Sequence, residues 1–191
     1  MARVFVITGP SGVGKGTLIR GLMERLPELR LSVSATTRPP RSGERHGVDY
    51  YFITPEQFEA HVGDGDFVEH ARYAGRSYGT LHSELEQGGS EDEPVEGSGS
   101  PVVLEIEVQG ARQVRESVPD AVLVFIAPPS PEALRTRLIE RGTDDPEEVE
   151  RRLRVAEGEL AAQPEFTHVV VNDRLEDALE QLTAIVAHEL S

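Results

Sequence analysis

Nine residues near the start of the chain could hold a polyphosphate: Gly9-Pro10-Ser11-Gly12-Val13-Gly14-Lys15-Gly16-Thr17. Their glycines let consecutive backbone N–H groups converge on one point without a Cβ in the way. A helix starting at the end of the loop would add the partial positive charge of its N-terminus. Lys15 would set a compact ammonium on the β- and γ-phosphates of a nucleoside triphosphate such as ATP. Of the 19 basic residues, every one but Lys15 is arginine, so the single lysine stands inside the single glycine-rich loop of this pattern. The position after the lysine, where a metal-binding hydroxyl usually stands, is Gly16. Thr17 follows and is the candidate ligand for Mg²⁺, directly or through water.

The loop needs a strand before it and a helix after it. Residues 4–7 are apolar and predict a short buried strand. Leu18, Ile19, Leu22, Met23 and Leu26 recur at helical spacing until Pro27. Residues 31–34 predict a second strand, 36–48 an ordered loop, and 50–53 a third strand. Thr54-Pro55-Glu56-Gln57 predicts a capped helix start. Residues 67–69 predict a short strand. Residues 88–101 are Gly, Ser, Glu, Asp and Pro with one valine, and predict an acidic surface loop. Strands at 102–108, 121–126 and 169–171 then alternate with helices at 111–118, from Ser130-Pro131 to about Arg141, from Asp145-Pro146, and at 175–190. This alternation predicts an α/β fold, a parallel sheet with helices on both faces.

Composition narrows the partners. The net charge of −15 argues against a nucleic-acid polymer or an anionic membrane, so a phosphate must be bound by local positive charge. Absence of cysteine removes thiolate chemistry and disulfides. The six histidines (His46, His61, His70, His82, His168 and His188) have no metal-ligand spacing. No early apolar run is long enough for a signal peptide, so the expected location is the cytoplasm.

A second set of residues makes the reading specific. Ser34-Ala35-Thr36-Thr37-Arg38-Pro39-Pro40-Arg41-Ser42-Gly43-Glu44 is followed by Gly47-Val48-Asp49-Tyr50-Tyr51-Phe52, then Phe67-Val68-Glu69, Ser77-Tyr78-Gly79-Thr80 and residues 104–111. With the phosphate loop, these segments resemble the guanylate kinases over residues 4 to about 182. The Gly-Lys-Gly-Thr form of the loop is shared with adenylate-type kinases. The resemblance implies a P-loop NTPase-type fold, Mg²⁺ with ATP, and transfer of the γ-phosphate of ATP to GMP in purine nucleotide metabolism. It also implies one domain over 1–191: a core of about 1–33, 102–130 and 153–191, a GMP-binding region of about 34–87, an acidic loop at 88–101 and a lid of about 131–152.

The same resemblance implies roles. Arg38 and Arg41 would grip the GMP phosphate by forked bonds, aided by the Tyr50 and Tyr78 hydroxyls. Glu69 would read guanine through N1–H and the 2-amino group, donors that adenine lacks. Ser34 and Thr80 would meet guanine O6. Glu107 stands where the family usually has Asp, near the guanine or the arginines, and Glu105 would help hold the metal's water. Arg135, Arg137, Arg141, Arg151, Arg152 and Arg154 cluster in the lid segment. Arg141 and Arg152 would close over the transferring phosphoryl group, while Arg137 and Asn172 would lie near ATP. Glu–Arg pairing along a solvated helix is the competing account for Arg151 and Arg154. The rival functions are a ribose-bisphosphate phosphokinase on the same scaffold, which needs no guanine reader, and a non-catalytic phosphopeptide-binding module, which needs no Lys15. A switch-type GTPase would need an Asn-Lys-x-Asp segment that this chain lacks.

Overall fold

The computed structural model describes residues 2–73, 75–86, 99–140 and 146–191. Strand β1 (Val4–Thr8) runs through the glycine loop into α1 (Lys15–Arg25), which buries Leu18, Ile19 and Leu22. Short strands β2 (Arg30–Leu31), β3 (Ala35–Thr36) and β4 (Tyr51–Phe52) precede α2 (Pro55–Asp64). A hairpin of β5 (Phe67–Tyr73) and β6 (Arg76–Leu81) leads to the single turn α3 (Ser83–Glu86). The order closes with β7 (Val102–Glu105), α4 (Val108–Ser117), β8 (Val122–Ala127), α5 (Pro131–Glu140), α6 (Pro146–Ala161), β9 (His168–Val171) and α7 (Leu175–Leu190).

The larger sheet has the order β2-β7-β1-β8-β9. Its pairs β1·β8, β2·β7 and β8·β9 are parallel. β1 and β8 are buried at every position, as apolar strands under helices must be. The alternation of strands and helices is thus realised as a parallel α/β sheet.

The chain divides into two compact units, Met1–Val4 with Leu29–Leu104 and Gln109–Ala121, and Phe5–Glu28 with Glu105–Val108 and Val122–Ser191. The first contains a mixed sheet of order β4-β3-β6-β5, in which β3·β4 is parallel while β3·β6 and β5·β6 are antiparallel. Helix α2 covers it, packing Phe58 against Ala35 and Phe67, with their rings 4.6 Å apart for the two phenylalanines. The expected capping box is formed: the Thr54 hydroxyl accepts the Gln57 N–H at 3.2 Å, and the Gln57 side chain accepts the Thr54 N–H at 2.9 Å.

Several boundaries differ from expectation. Of the strand expected at 31–34 only Leu31 is in a strand, the end of β2; the Val33 N–H donates to the Glu84 carboxylate at 2.8 Å instead of joining a ladder, and β3 opens at Ala35. The strand expected at 102–108 stops at Glu105, and α4 opens at Val108. The short strand expected at 67–69 is the start of a seven-residue strand whose partner β6 was not foreseen. The acidic stretch 88–101 falls mostly outside the described residues.

Glu84 is a hub of the first unit. It is 2% exposed and accepts from the Val33 N–H, from Arg30 Nη1 at 3.3 Å and from the Tyr51 hydroxyl at 3.2 Å. Burial, and then the Glu84 carboxylate, push the Tyr51 phenol up. Glu84→Ala should therefore destabilise the protein by about 2 kcal/mol, since it removes the acceptor of the half-buried Val33 N–H and leaves the Arg30 guanidinium only the residue-84 carbonyl. A urea midpoint unchanged from wild type would show the hub to be dispensable.

Candidate active site

The phosphate loop is shaped by backbone positions that only glycine fills. Gly9 has φ 141°, and a Cβ there would lie 2.2 Å from the Ile126 carbonyl oxygen. Gly14 has φ 101°, and a Cβ there would lie 2.6 Å from Asn172 Nδ2. Around this backbone the second unit places a set of braces. Asn172 Nδ2 donates to the Val13 carbonyl at 2.8 Å. Arg137 donates from Nη2 to the Asn172 carbonyl at 2.7 Å and to Asp173 O at 3.3 Å, and from Nη1 to Val13 O at 3.4 Å. Lys15 Nζ donates to Gly9 O at 2.6 Å and to Pro10 O at 3.4 Å, which folds the ammonium over the loop. The expected ATP residues Arg137 and Asn172 are therefore in direct contact with the loop itself. A cavity of about 400 Å³ beside it is lined by Gly12, Gly14, Thr17, Arg137, Asn172 and Leu175.

Helix α6 reaches the loop at Ser11. The Arg152 guanidinium donates to the Ser11 hydroxyl, and the Glu159 carboxylate takes the Ser11 N–H. The two residues are seven apart on one helix and so share a face. Burial pushes the Glu159 carboxyl up, opposed by the Lys15 ammonium and the Ser11 N–H and reinforced by the Glu107 carboxylate. Glu107, expected among the GMP residues, thus belongs to the same unit as the phosphate loop and faces Glu159 electrostatically. Arg151 pairs with Glu148 at 2.7 Å, and Arg135 pairs with Glu150, which fits the solvated-face account for Arg151. Arg141 lies outside the described residues. Sequence reasoning missed Glu159; its spacing of seven from Arg152 was the available signal.

Oxygen donors stand beside Gly16. A Cβ on Gly16 would stand 3.9 Å from both oxygens of Glu105, so this side of the loop is open and carries a carboxylate. Thr17, the next residue, is exposed and offers a hydroxyl. Hard oxygen donors of this kind suit Mg²⁺, which takes one or two carboxylates and completes its shell with water and substrate phosphates. No group of three or more His, Cys, Asp or Glu among the described residues could cage an ion.

The first unit holds the expected acceptor residues, apart from Glu107. A bulge between Phe67 and Glu69 sets their side chains on opposite faces of the β5·β6 hairpin. Phe67 turns to Phe58 of α2, while Glu69 turns to Thr80, whose hydroxyl donates to Glu69 Oε1 at 2.7 Å. Glu69 is 3% exposed and Thr80 fully buried. Because the Thr80 hydroxyl proton is spent on Glu69, donation to guanine O6 would need that hydroxyl to rotate. Pairing of Ala71 with Tyr78 sets Tyr78 on the Glu69 face, and the Tyr78 and Tyr50 rings lie 6.2 Å apart. Arg38 sits 5.2 Å from the Tyr50 ring centroid. Glu44, with desolvation opposing and Tyr78 assisting, holds the Arg38 guanidinium above its ordinary value. Arg41 is exposed, and Ser34 is half-buried with its carbonyl accepting the Tyr51 N–H at 2.9 Å.

A strand, a glycine-lysine loop and a helix opening on that loop, set in a parallel sheet, define a P-loop nucleotide-binding protein. The family model described as guanylate kinase matches residues 1–189. A guanylate kinase from Synechococcus sp. (strain CC9311) is 52% identical over 185 residues, covering 95% of this chain and 92% of the relative. One from Streptomyces coelicolor is 49% identical over 183 residues, covering 96% and 89%. The crystal structure of guanylate kinase from Anaplasma phagocytophilum superposes with a TM-score of 0.76 at 30% identity, covering 98% of this chain and 86% of that one. The chain belongs to the guanylate kinase family.

The raised Glu159 carboxyl has a consequence for stability. The folded chain holds that proton more tightly than the unfolded chain, so stability falls as pH rises above the usual value of 4.5. Glu159→Gln removes the charge and keeps an acceptor for Ser11. Its Tm should exceed that of wild type near pH 8, with the gap closing towards pH 4.5. A gap independent of pH, or a variant less stable near pH 8, would contradict this.

Proposed function

We infer that the phosphate loop of this chain cradles ATP, that Arg38, Arg41 and Glu69 hold GMP, and that the γ-phosphoryl group passes between them. The overall reaction, ATP and GMP to ADP and GDP, is that of the family to which the chain belongs. The observation that best supports the division of labour is the pairing of two differently built anion sites. One is a braced glycine loop with the only lysine of the chain. The other is an arginine–tyrosine cluster on the same sheet as a buried glutamate.

Backbone N–H groups of residues 9–17 and Lys15 bind the donor phosphates. The cavity lined by Arg137, Asn172 and Leu175 takes the nucleoside end of ATP. Beside Gly16 the Thr17 hydroxyl would hold Mg²⁺ directly or through water, and Glu105 would hold its water shell. When bound, it neutralises charge on the phosphates. On the acceptor side, Arg38, Arg41, Tyr50 and Tyr78 take the GMP phosphate, Glu69 takes N1–H and the 2-amino group of guanine, and Ser34 and Thr80 lie at O6. Glu107 would add a carboxylate near the guanine or the phosphate-binding arginines. The GMP phosphate is already anionic, so no side chain has to remove a proton before its oxygen attacks in line. Arg141 and Arg152 balance the charge that spreads over the transferring group, and closure of 131–152 keeps water from intercepting it. The reaction belongs to the cytoplasm, where both nucleotides are found. No described helix is long and apolar enough to cross a membrane.

Two measurements test this. ADP release from ATP and Mg²⁺ should be fast with GMP and slow with AMP, UMP or ribose bisphosphate. In Glu69→Gln the GMP-over-AMP ratio should fall by about tenfold or more, because one of two guanine donors loses its acceptor. An unchanged ratio means that the base is read elsewhere. Lys15→Ala should lower kcat by about a thousandfold while GMP binding, followed by calorimetry, stays intact. Turnover close to wild type would remove the loop from the mechanism.

A further inference from the structure

Residues 41–44 form a tight turn in which the Glu44 N–H donates to the Arg41 carbonyl at 3.1 Å and Gly43 has φ 89°. A positive φ at the third position is what a type II turn demands, and glycine supplies it. The turn folds the Glu44 side chain back over its own start. Glu44 Oε2 accepts the Arg41 N–H at 2.6 Å and Arg38 Nη1 at 2.9 Å, while Oε1 accepts Arg38 Nη2 at 2.9 Å. One carboxylate is thus bonded to both residues assigned to the acceptor phosphate.

The fork is end-on. Nη1 and Nη2 meet Glu44, and Nη1 also donates to the Pro39 carbonyl at 2.9 Å. The edge made by Nε–H and the second Nη2–H is then the one that can meet a phosphate by two parallel bonds. Two aromatic rings, Tyr50 at 5.2 Å and Phe52 at 5.7 Å from Arg38 Cζ, flank the guanidinium. The Arg38 fork and then the Arg41 N–H hold the Glu44 carboxyl down to about 2, so it is ionised throughout the working range of pH.

We propose that Glu44 is a positioning residue for GMP: it holds Arg38 with its Nε–Nη2 edge offered to the acceptor phosphate and fixes the backbone from which Arg41 projects. This rests on the reading that Arg38 and Arg41 bind that phosphate. In the absence of Glu44 the substrate itself would have to order two long side chains, and affinity would fall by that entropy. If Glu44 were instead a rival anion that the phosphate displaces, removing its charge would tighten GMP binding.

Glu44→Gln keeps the shape and one acceptor while losing the charged fork. KM and Kd for GMP should rise about tenfold, with kcat and KM for ATP changed by less than about twofold. Affinity for guanosine, which has the base and sugar but no phosphate, should not change. Arg38→Ala should also lose GMP affinity, and adding Glu44→Gln to it should cost little more. Unchanged or tighter GMP binding in Glu44→Gln overturns the proposal. A matching loss of guanosine affinity overturns it too, since that marks a role in folding the lobe. Arg38→Ala that binds GMP as wild type does overturns the phosphate reading first and this proposal with it.

Discussion

A loop whose N–H groups all point one way leaves its carbonyls to be held by other groups, and the side chains around the glycine loop of this protein hold them. Val13 O is taken by Asn172 and Arg137, and Gly9 O by Lys15. Glycine at 9 and 14 lets the backbone pass where any Cβ would strike the Ile126 carbonyl or the Asn172 amide. These contacts make an unusual backbone path the resting one, so that a ligand does not have to impose it.

Charge is handled in the same local way. A chain of net charge −15 binds two anionic nucleotides, so each cation must act at short range. Most are tethered to an oxygen of the protein: Arg38 to Glu44, Arg137 to backbone carbonyls, Arg152 to the Ser11 hydroxyl. Carboxylates at the two sites are pushed in opposite directions. Glu44 is lowered because it meets an arginine fork and a backbone N–H, whereas Glu159 is raised because burial outweighs Lys15. The same side chain serves as a fixed anion in one place and as a costly one in the other.

Local signals made much of this legible from the residues. The glycine loop, the Thr54–Gln57 box and the periodicity of 175–190 each depend on neighbours a few positions away, and α2 and α7 begin where those signals put them. Long-range partners were hidden. β6 carries a glycine in its middle and little alternation, and becomes a strand through pairing with β3 and β5. Val33 reads as part of a strand, yet its N–H belongs to Glu84, 51 residues away. The site followed the same division. The glycine-rich stretch around Lys15 could be read directly as a loop between strand and helix, while the bracing role of Asn172 depends on a loop 159 residues distant.

The bulge between Phe67 and Glu69 gives this strand one residue of slack. Strand pairing alternates faces strictly, and here one surplus position resets the alternation. Loss of Val68 alone would restore regular pairing with Phe67 still opposite Leu81 and Glu69 still opposite Thr80, so both side chains would keep their faces and only a buried valine and the local kink would go. Codon 68 is therefore the place where the gene can lose one residue without turning Glu69 away from Thr80, whereas a deletion inside the regular ladder beyond it would reverse the face of every residue on one side of the cut.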